Sequence, residues 1–173
     1  MTQEQYLPEI RLRALEPEDL DALYHIENDA SMWCIGPTNV PYSRYMLHDY
    51  IAHNTADIYA DRQLRLIIEN ADHETVGIAD LANFDPRHQR AEVGLVIQQP
   101  FRRQGYARVA LRHIHDYARE TIHLHQLYAI IDSTNTTAIK LFLQLGYEQT
   151  ASLNDWLYDG KNYRGATVMQ IIL

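Results

Sequence analysis

The hydrophobic pattern changes period repeatedly along the chain, and each change marks an element. Ile10-Arg11-Leu12-Arg13-Ala14-Leu15 alternates apolar with polar, as a strand does with one face buried. Pro17 suits the first turn of a helix, and Leu20, Leu23, Tyr24 and Ile26 recur at helical spacing to a stop near Asn28. No period holds from Asp29 to Ser43. Gly36, Pro37, Asn39 and Pro41 predict a loop there, with Trp33 and Tyr42 suited to lining a pocket or a dimer face. Ser43 can cap a second helix with Tyr45, Met46, Tyr50 and Ile51 as its apolar side.

The period of two returns in Leu64-Arg65-Leu66-Ile67-Ile68-Glu69 and in Thr75 to Leu81, which predicts an antiparallel hairpin turning over Asn70 to His73. Asp85 to His88 is a second turn, ahead of a strand from Glu92 to Ile97. Pro100 stops that strand, having no N–H to give to a ladder. Ala107, Ala110, Leu111, Ile114, Tyr117 and Ala118 then fall on one helical face, with Arg108, Arg112, Asp116 and Arg119 on the other. Gln126 to Ile131 reads as a strand apolar enough to be buried on both faces. Asp132 to Asn135 offers caps for a helix carrying Ala138, Ile139, Leu141, Phe142 and Leu145, with Gly146 as its stop. Ala151 to Tyr158 and Tyr163 to Ile172 close the chain as strands joined through Asp159-Gly160. Strands in series, then helices between strands, predict a mixed α+β class over one domain, residues 1–173.

Composition narrows the partners. A chain of 173 residues can bury one proper core, and a formal net charge of -8 argues against nucleic acid and fits a cationic partner. No apolar run approaches the ~20 residues of a membrane span, and the opening MTQEQYLPEIRLR lacks the layout of a signal peptide. The one cysteine, Cys34, excludes an internal disulfide and suits a reducing cytoplasm; beside Trp33 it reads as an apolar filler.

The stretch that carries chemistry is Ala91 to Ala118: strand, basic glycine-bearing turn, helix. N–H groups at a helix start lack carbonyl partners and attract anions, and Gly105 and Ala107 are small enough to let a diphosphate approach. The alternative is an ordinary turn with two surface arginines. There is no G-x-x-x-x-G-K-[ST] and no G-x-G-x-x-G after a strand. His113 and His115 point ~200° apart on a helix and cannot share a metal; with His123 and His125 they read as surface or capping residues.

Arg102-Arg103-Gln104-Gly105-Tyr106-Ala107 matches the R/Q-x-x-G-x-G/A signature of the GNAT superfamily of acetyl-CoA-dependent N-acetyltransferases. Asn135 to Tyr147, NTTAIKLFLQLGY, resembles that family's N-x-x-A-x-x-x-[YF]-x-x-x-G-[FY] segment, and the element order is similar along nearly the whole chain. The RAEV start of the central strand, the DWLYDGKNYR hairpin and the IRLRALEPEDL opening resemble the spermidine/diamine acetyltransferase branch. The resemblance implies a central, mostly antiparallel twisted sheet of about six to seven strands flanked by about four helices. It implies acetyl-CoA as co-substrate and no metal. Backbone groups of Leu95, Val96 and Ile97 would hold the pantetheine arm and acetyl oxygen, and Arg102, Arg103, Gln104, Gly105, Tyr106 and Ala107 the pyrophosphate. Asn135 would touch the pantetheine arm or simply cap its helix. Glu92 matches a position where the family often carries a general base; otherwise it is a solvated strand-end carboxylate. Asp85 and His88 are weaker candidates for that task or for steering a cation. Phe142 departs from the pattern, because many relatives carry there a tyrosine that protonates the coenzyme A thiolate, and phenylalanine cannot. The implied reaction is acetyl transfer to a small-molecule amine, a polyamine or diamine such as spermidine. The alternatives are acetylation of a protein N-terminus and a non-catalytic acyl-CoA-binding module; a homo-oligomer stays open.

Overall fold

The computed structural model describes residues 7–29 and 40–173. Its frame is one seven-stranded sheet in the order β1-β2-β3-β4-β5-β7-β6. β1 (Ile10–Ala14), β2 (Leu64–Asn70), β3 (Thr75–Asp85) and β4 (Arg90–Ile97) form an antiparallel meander. β4 pairs in parallel with β5 (Gln126–Asp132), and β7 (Tyr163–Ile172) lies antiparallel between β5 and the edge strand β6 (Glu148–Tyr158). α1 (Leu20–Glu27), α2 (Arg44–His53) and the short α3 (Ile58–Asp61) fill the link from β1 to β2. α4 (Tyr106–Glu120) follows β4, and α5 (Thr136–Gln144) follows β5. The α+β fold expected from the sequence is therefore present, with the single-turn α3 in addition.

The main core lies between the sheet and α4 with α5: Ala110, Leu111, Ile114 and Ala118 meet Val76, Ala79, Leu81, Val93, Leu127, Ala129 and Met169. The opposite face carries a smaller cluster of Ile26, Ile67 and Ile78, joined by Leu15 and Val96. Polar clamps complete that face. Arg65 grips Asp80 through Nε (2.7 Å) and Nη2 (2.9 Å), bonds Glu27 of α1, and sits 5.6 Å from the Tyr50 ring centre of α2. Arg13 reaches both oxygens of Asp19, at 2.7 and 2.8 Å, and Glu69 at 2.6 Å. Asn28 holds the N–H and C=O of Tyr42, at 2.8 and 3.0 Å. Trp33, Cys34, Gly36, Pro37 and Asn39, read as loop residues, lie outside the described residues.

Two expectations about burial are corrected. Leu47 is the buried residue of α2, whereas Tyr45 and Met46 are 80% and 55% exposed, because the helix touches the body along a narrow stripe. β5 is not buried on both faces: Leu127, Ala129 and Ile131 are buried while Gln126, Tyr128 and Ile130 are half-buried. Its apolar composition hides an alternation set by which face α4 covers.

Burial by itself raises the Asp19 carboxyl, but the Arg13 guanidinium and the Glu16 N–H outweigh it and hold the group below its ordinary 3.8. A depressed carboxyl stabilises the fold fully above its unfolded value and loses that contribution as pH falls through the folded one. Asp19→Asn should lower stability by about 2 kcal/mol at neutral pH. Below about pH 3.8 the variant and wild type should converge, as read from urea midpoints across pH.

Candidate active site

The site is created by a failure of pairing. β4 and β5 run together only at Arg90–Gln126, Ala91–Leu127 and Glu92–Tyr128, after which β4 keeps β3 as its neighbour and β5 keeps β7. Antiparallel ladders alternate between pairs that exchange hydrogen bonds and pairs that do not. Gln98 N–H bonds Val76 C=O at 2.9 Å, which fixes that alternation along β4. Val96, Gly94 and Glu92 therefore turn their main chain to β3, whereas Ile97, Leu95 and Val93 turn theirs into the opening. Of the three residues expected to hold the pantetheine arm, Leu95 and Ile97 have their main chain on the side of the opening, with the Ile97 C=O accepting from Arg102 Nε, and Val96 has its main chain on the β3 side. The Val96 side chain packs on the α1 face.

At the open end of the cleft, Pro100 sits in a short 3₁₀ turn, Gln99–Phe101, and α4 begins at Tyr106. Phe101 and Arg102 N–H groups bond back to Gln98 and Gln99, and Arg108 and Val109 N–H groups bond to Gly105. Between them the N–H groups of Arg103, Gln104, Gly105, Tyr106 and Ala107 make no hydrogen bond to the described residues. Arg103 (φ 65°) and Gly105 (φ 93°) both take left-handed backbone, which gathers consecutive N–H groups into an anion-binding concavity at a helix start. The side chains of Arg102 and Gln104 brace this loop: Arg102 Nε donates to Ile97 C=O at 2.8 Å, and Gln104 Nε2 to Pro100 C=O at 2.9 Å. Gly105 is also hemmed in by the chain, since a Cβ there would stand 3.1 Å from Pro8 Cδ. That close approach comes from the protein itself.

Glu92 lies at the last paired position, on the sheet face opposite α4. Asn83 Nδ2 donates to its Oε2 at 2.8 Å, and Tyr128 is its partner across the ladder. The carboxylates on neighbouring strands, Asp80 and Glu69, are bound by arginines, but among the described residues Glu92 makes no ion pair. Asp85, by contrast, is absorbed in its own turn: it accepts from Arg87 and His88 N–H groups and pairs with Arg90 at 3.3 Å. The His88 N–H bond, first among these contacts, draws the carboxyl below its usual range. His88 is exposed in the same turn.

Asn135 Oδ1 caps α5 by accepting the Ala138 N–H at 3.1 Å, which leaves its NH₂ as a donor. Phe142 is buried with its ring centre 4.7 Å from that of Tyr147, whose hydroxyl meets His115 Nε2 at 2.9 Å. His115 is thus not a surface histidine. Burial lowers its pKa and raises that of Tyr147, so both remain neutral near pH 7. Among the described residues no group of three or more His, Cys, Asp and Glu is arranged for a metal, and no helix is long and apolar enough to cross a membrane.

A sheet that parts beside a basic, N–H-rich turn is the architecture of an acyltransferase that takes its donor from coenzyme A. The acetyltransferase (GNAT) domain family matches residues 9–148, and the chain belongs to that family of acetyl-CoA-dependent enzymes. It is 28% identical over 165 residues to the spermidine N(1)-acetyltransferase of Escherichia coli (strain K12), covering 94% of this chain and 85% of the relative. The corresponding enzyme of Vibrio cholerae is 23% identical over 167 residues, 95% of this chain and 93% of the relative. Among solved structures, the fold is similar to the spermidine N-acetyltransferase from Vibrio cholerae in complex with CoA and spermine. The TM-score is 0.81 at 23% identity, over 94% of this chain and 95% of that one.

Replacing Gly105 tests the turn. Gly105→Ala forces an L side chain into left-handed backbone and should cost about 1–2 kcal/mol of stability. It should also weaken acetyl-CoA binding at least roughly tenfold, about 1.4 kcal/mol, by disturbing the N–H row. Denaturation and calorimetry on the same sample read the two effects; unchanged affinity in the folded variant would remove the turn from the binding site.

Proposed function

We propose that this enzyme transfers the acetyl group of acetyl-CoA to a primary amine of a polyamine such as spermidine. The observation that supports it most directly is the conjunction of the Arg103–Ala107 N–H row at the open end of the cleft with Glu92 at its apex. In this reading the Arg102 to Ala107 turn holds the diphosphate, the main chain of Leu95 and Ile97 aligns the pantetheine arm, and Asn135 offers its NH₂ to that arm. The named relatives act on spermidine, and they align along almost the whole chain. A net charge of -8 favours a cationic acceptor over an acidic one.

A primary amine, pKa near ~10, arrives protonated and cannot attack a carbonyl. Glu92 takes one proton from the ammonium; the freed nitrogen pair then attacks the thioester carbonyl, the carbon–sulfur bond breaks, and the nitrogen sheds its second proton to water as the amide forms. Phe142 has no proton to give, and the Tyr147 hydroxyl is already engaged with His115. The thiolate, a tolerable leaving group with a thiol pKa near ~8.5, takes its proton from water.

We also read residues 1–173 as one acetyltransferase domain, since a single sheet draws strands from Ile10 to Ile172. A cytoplasmic location accords with the lone cysteine. Self-assembly through β6 is part of the same reading: this edge strand is exposed along most of its length, and Trp156, Tyr158 and Tyr163 stand out at its hairpin, 56%, 56% and 65% exposed. A dodecameric structure of the Vibrio cholerae enzyme, TM-score 0.78 at 24% identity over 94% of this chain and 93% of that one, has the same fold.

Coenzyme A release with a panel of amines and peptides tests the acceptor. Turnover on spermidine supports the reading; turnover on peptides alone points to N-terminal acetylation, and binding without turnover to an acyl-CoA-binding module. For Glu92→Gln, kcat should fall roughly 10²–10⁴-fold at neutral pH. The loss should shrink as pH climbs toward the amine's own pKa, where free amine no longer requires the enzyme to make it. A pH–rate profile parallel to wild type with kcat intact would take Glu92 out of the mechanism.

A further inference from the structure

β3 does not run straight past the site. Its pairing with β4 slips between Ala82 and Asp85, and within that bulge Asn83 has φ 50°, in the left-handed region. A bulge re-aims one side chain, and asparagine is among the few non-glycine residues that take left-handed backbone readily. Here the re-aimed group is the Asn83 amide, which donates to Glu92 Oε2 at 2.8 Å. From the other side comes Tyr128, placed opposite Glu92 by the last rung of the β4–β5 ladder. Burial first, and then the Glu92 carboxylate, push the Tyr128 hydroxyl above its ordinary value, so it stays protonated and can serve as a donor.

We propose that Asn83 and Tyr128 are positioning residues for Glu92, neutral donors that flank its carboxylate and orient it toward the incoming ammonium. The inference rests on the reading of Glu92 as the base. Two features favour it over plain strand packing. Asn83 on β3 and Tyr128 on β5 stand on either side of Glu92, and β4 and β5 part immediately beyond it, so the carboxylate sits at the point where the cleft begins. Both donors are also uncharged, so neither competes as a cation for the carboxylate that must receive the ammonium proton. Arginines bind Asp80 and Glu69, and that would be the wrong partner for a base.

Asn83→Gly removes the donor at a position whose backbone glycine accepts without strain. Tyr128→Phe removes the hydroxyl and leaves the backbone untouched, which keeps a test available if the glycine variant unfolds. With spermidine as acceptor and acetyl-CoA saturating, each should lower kcat about tenfold while KM for acetyl-CoA stays put. The deciding measurement repeats both substitutions in a Glu92→Gln background. Groups that act through one carboxylate lose their effect once it is gone, so neither should lower kcat further. Equal losses in both backgrounds would show that the two residues act independently of Glu92 and overturn the proposal. Normal kcat in both single variants, with Glu92→Gln impaired, overturns it too but leaves Glu92 as the base. Intact kcat in Glu92→Gln alone removes the base and the proposal together.

Discussion

The parting of β4 from β5 is the constraint on which the rest of the molecule turns. A parallel pair joined through a helix would ordinarily continue its ladder to the strand ends. Here β4 leaves after Glu92 and β5 after Tyr128, and each remains supported by its outer neighbour, β3 and β7. The sheet can therefore open in its middle without shedding a strand. Large buried side chains beneath the opening, Leu111, Ile114, Leu127 and Met169, hold the two halves on one core. The split exposes main-chain groups of Leu95 and Ile97 that a closed sheet would consume, and it leads directly into the N–H row at the start of α4.

The two faces of the sheet have been given different work. The α4 face is apolar and continuous, and it supplies the stability. The α1 face is held by arginine clamps, Arg13 on Asp19 and Glu69, and Arg65 on Asp80 and Glu27. These clamps neutralise carboxylates that would otherwise compete for a cation. Glu92 escapes such pairing because its neighbours on β3 and β5 are an amide and a phenol. Selectivity among carboxylates on one face thus comes from partner chemistry rather than from burial, since Glu92 is itself only half-buried.

Much of this was legible in the chain. The period-two runs located β1, β2 and β3, the helical spacing located α4 and α5, and Ser43 and Asn135 cap as their types suggest. The basic turn was legible because helix-start chemistry needs few residue types and tolerates little else. What escaped depended on neighbours distant in sequence. The exposure of Tyr45 and Met46 follows from how α2 meets α1, and the half-burial of His115 goes with its bond to Tyr147, 32 residues away. Val96 looked equivalent to Leu95 and Ile97, but ladder parity, set by one Gln98–Val76 bond, turns its main chain the other way. Asn83 and Tyr128 gave no signal at all: one lies between the run that ends at Leu81 and the turn that starts at Asp85, the other inside an apolar run.

The left-handed backbone at Asn83 has a bearing on how such a site can diverge. Few side chains adopt that conformation readily, chiefly asparagine, aspartate and glycine, so the position admits a very small alphabet. Within it lies a substitution of special force: aspartate for asparagine keeps shape and backbone but replaces a donor with a second negative charge beside Glu92. Two carboxylates so close cannot both ionise freely. A single amide-to-acid exchange could then shift the working pH of the site, or recast it as a tighter trap for a multiply charged amine, without disturbing the sheet. The bulge both fixes the geometry and narrows evolution at this point to a choice among charge states.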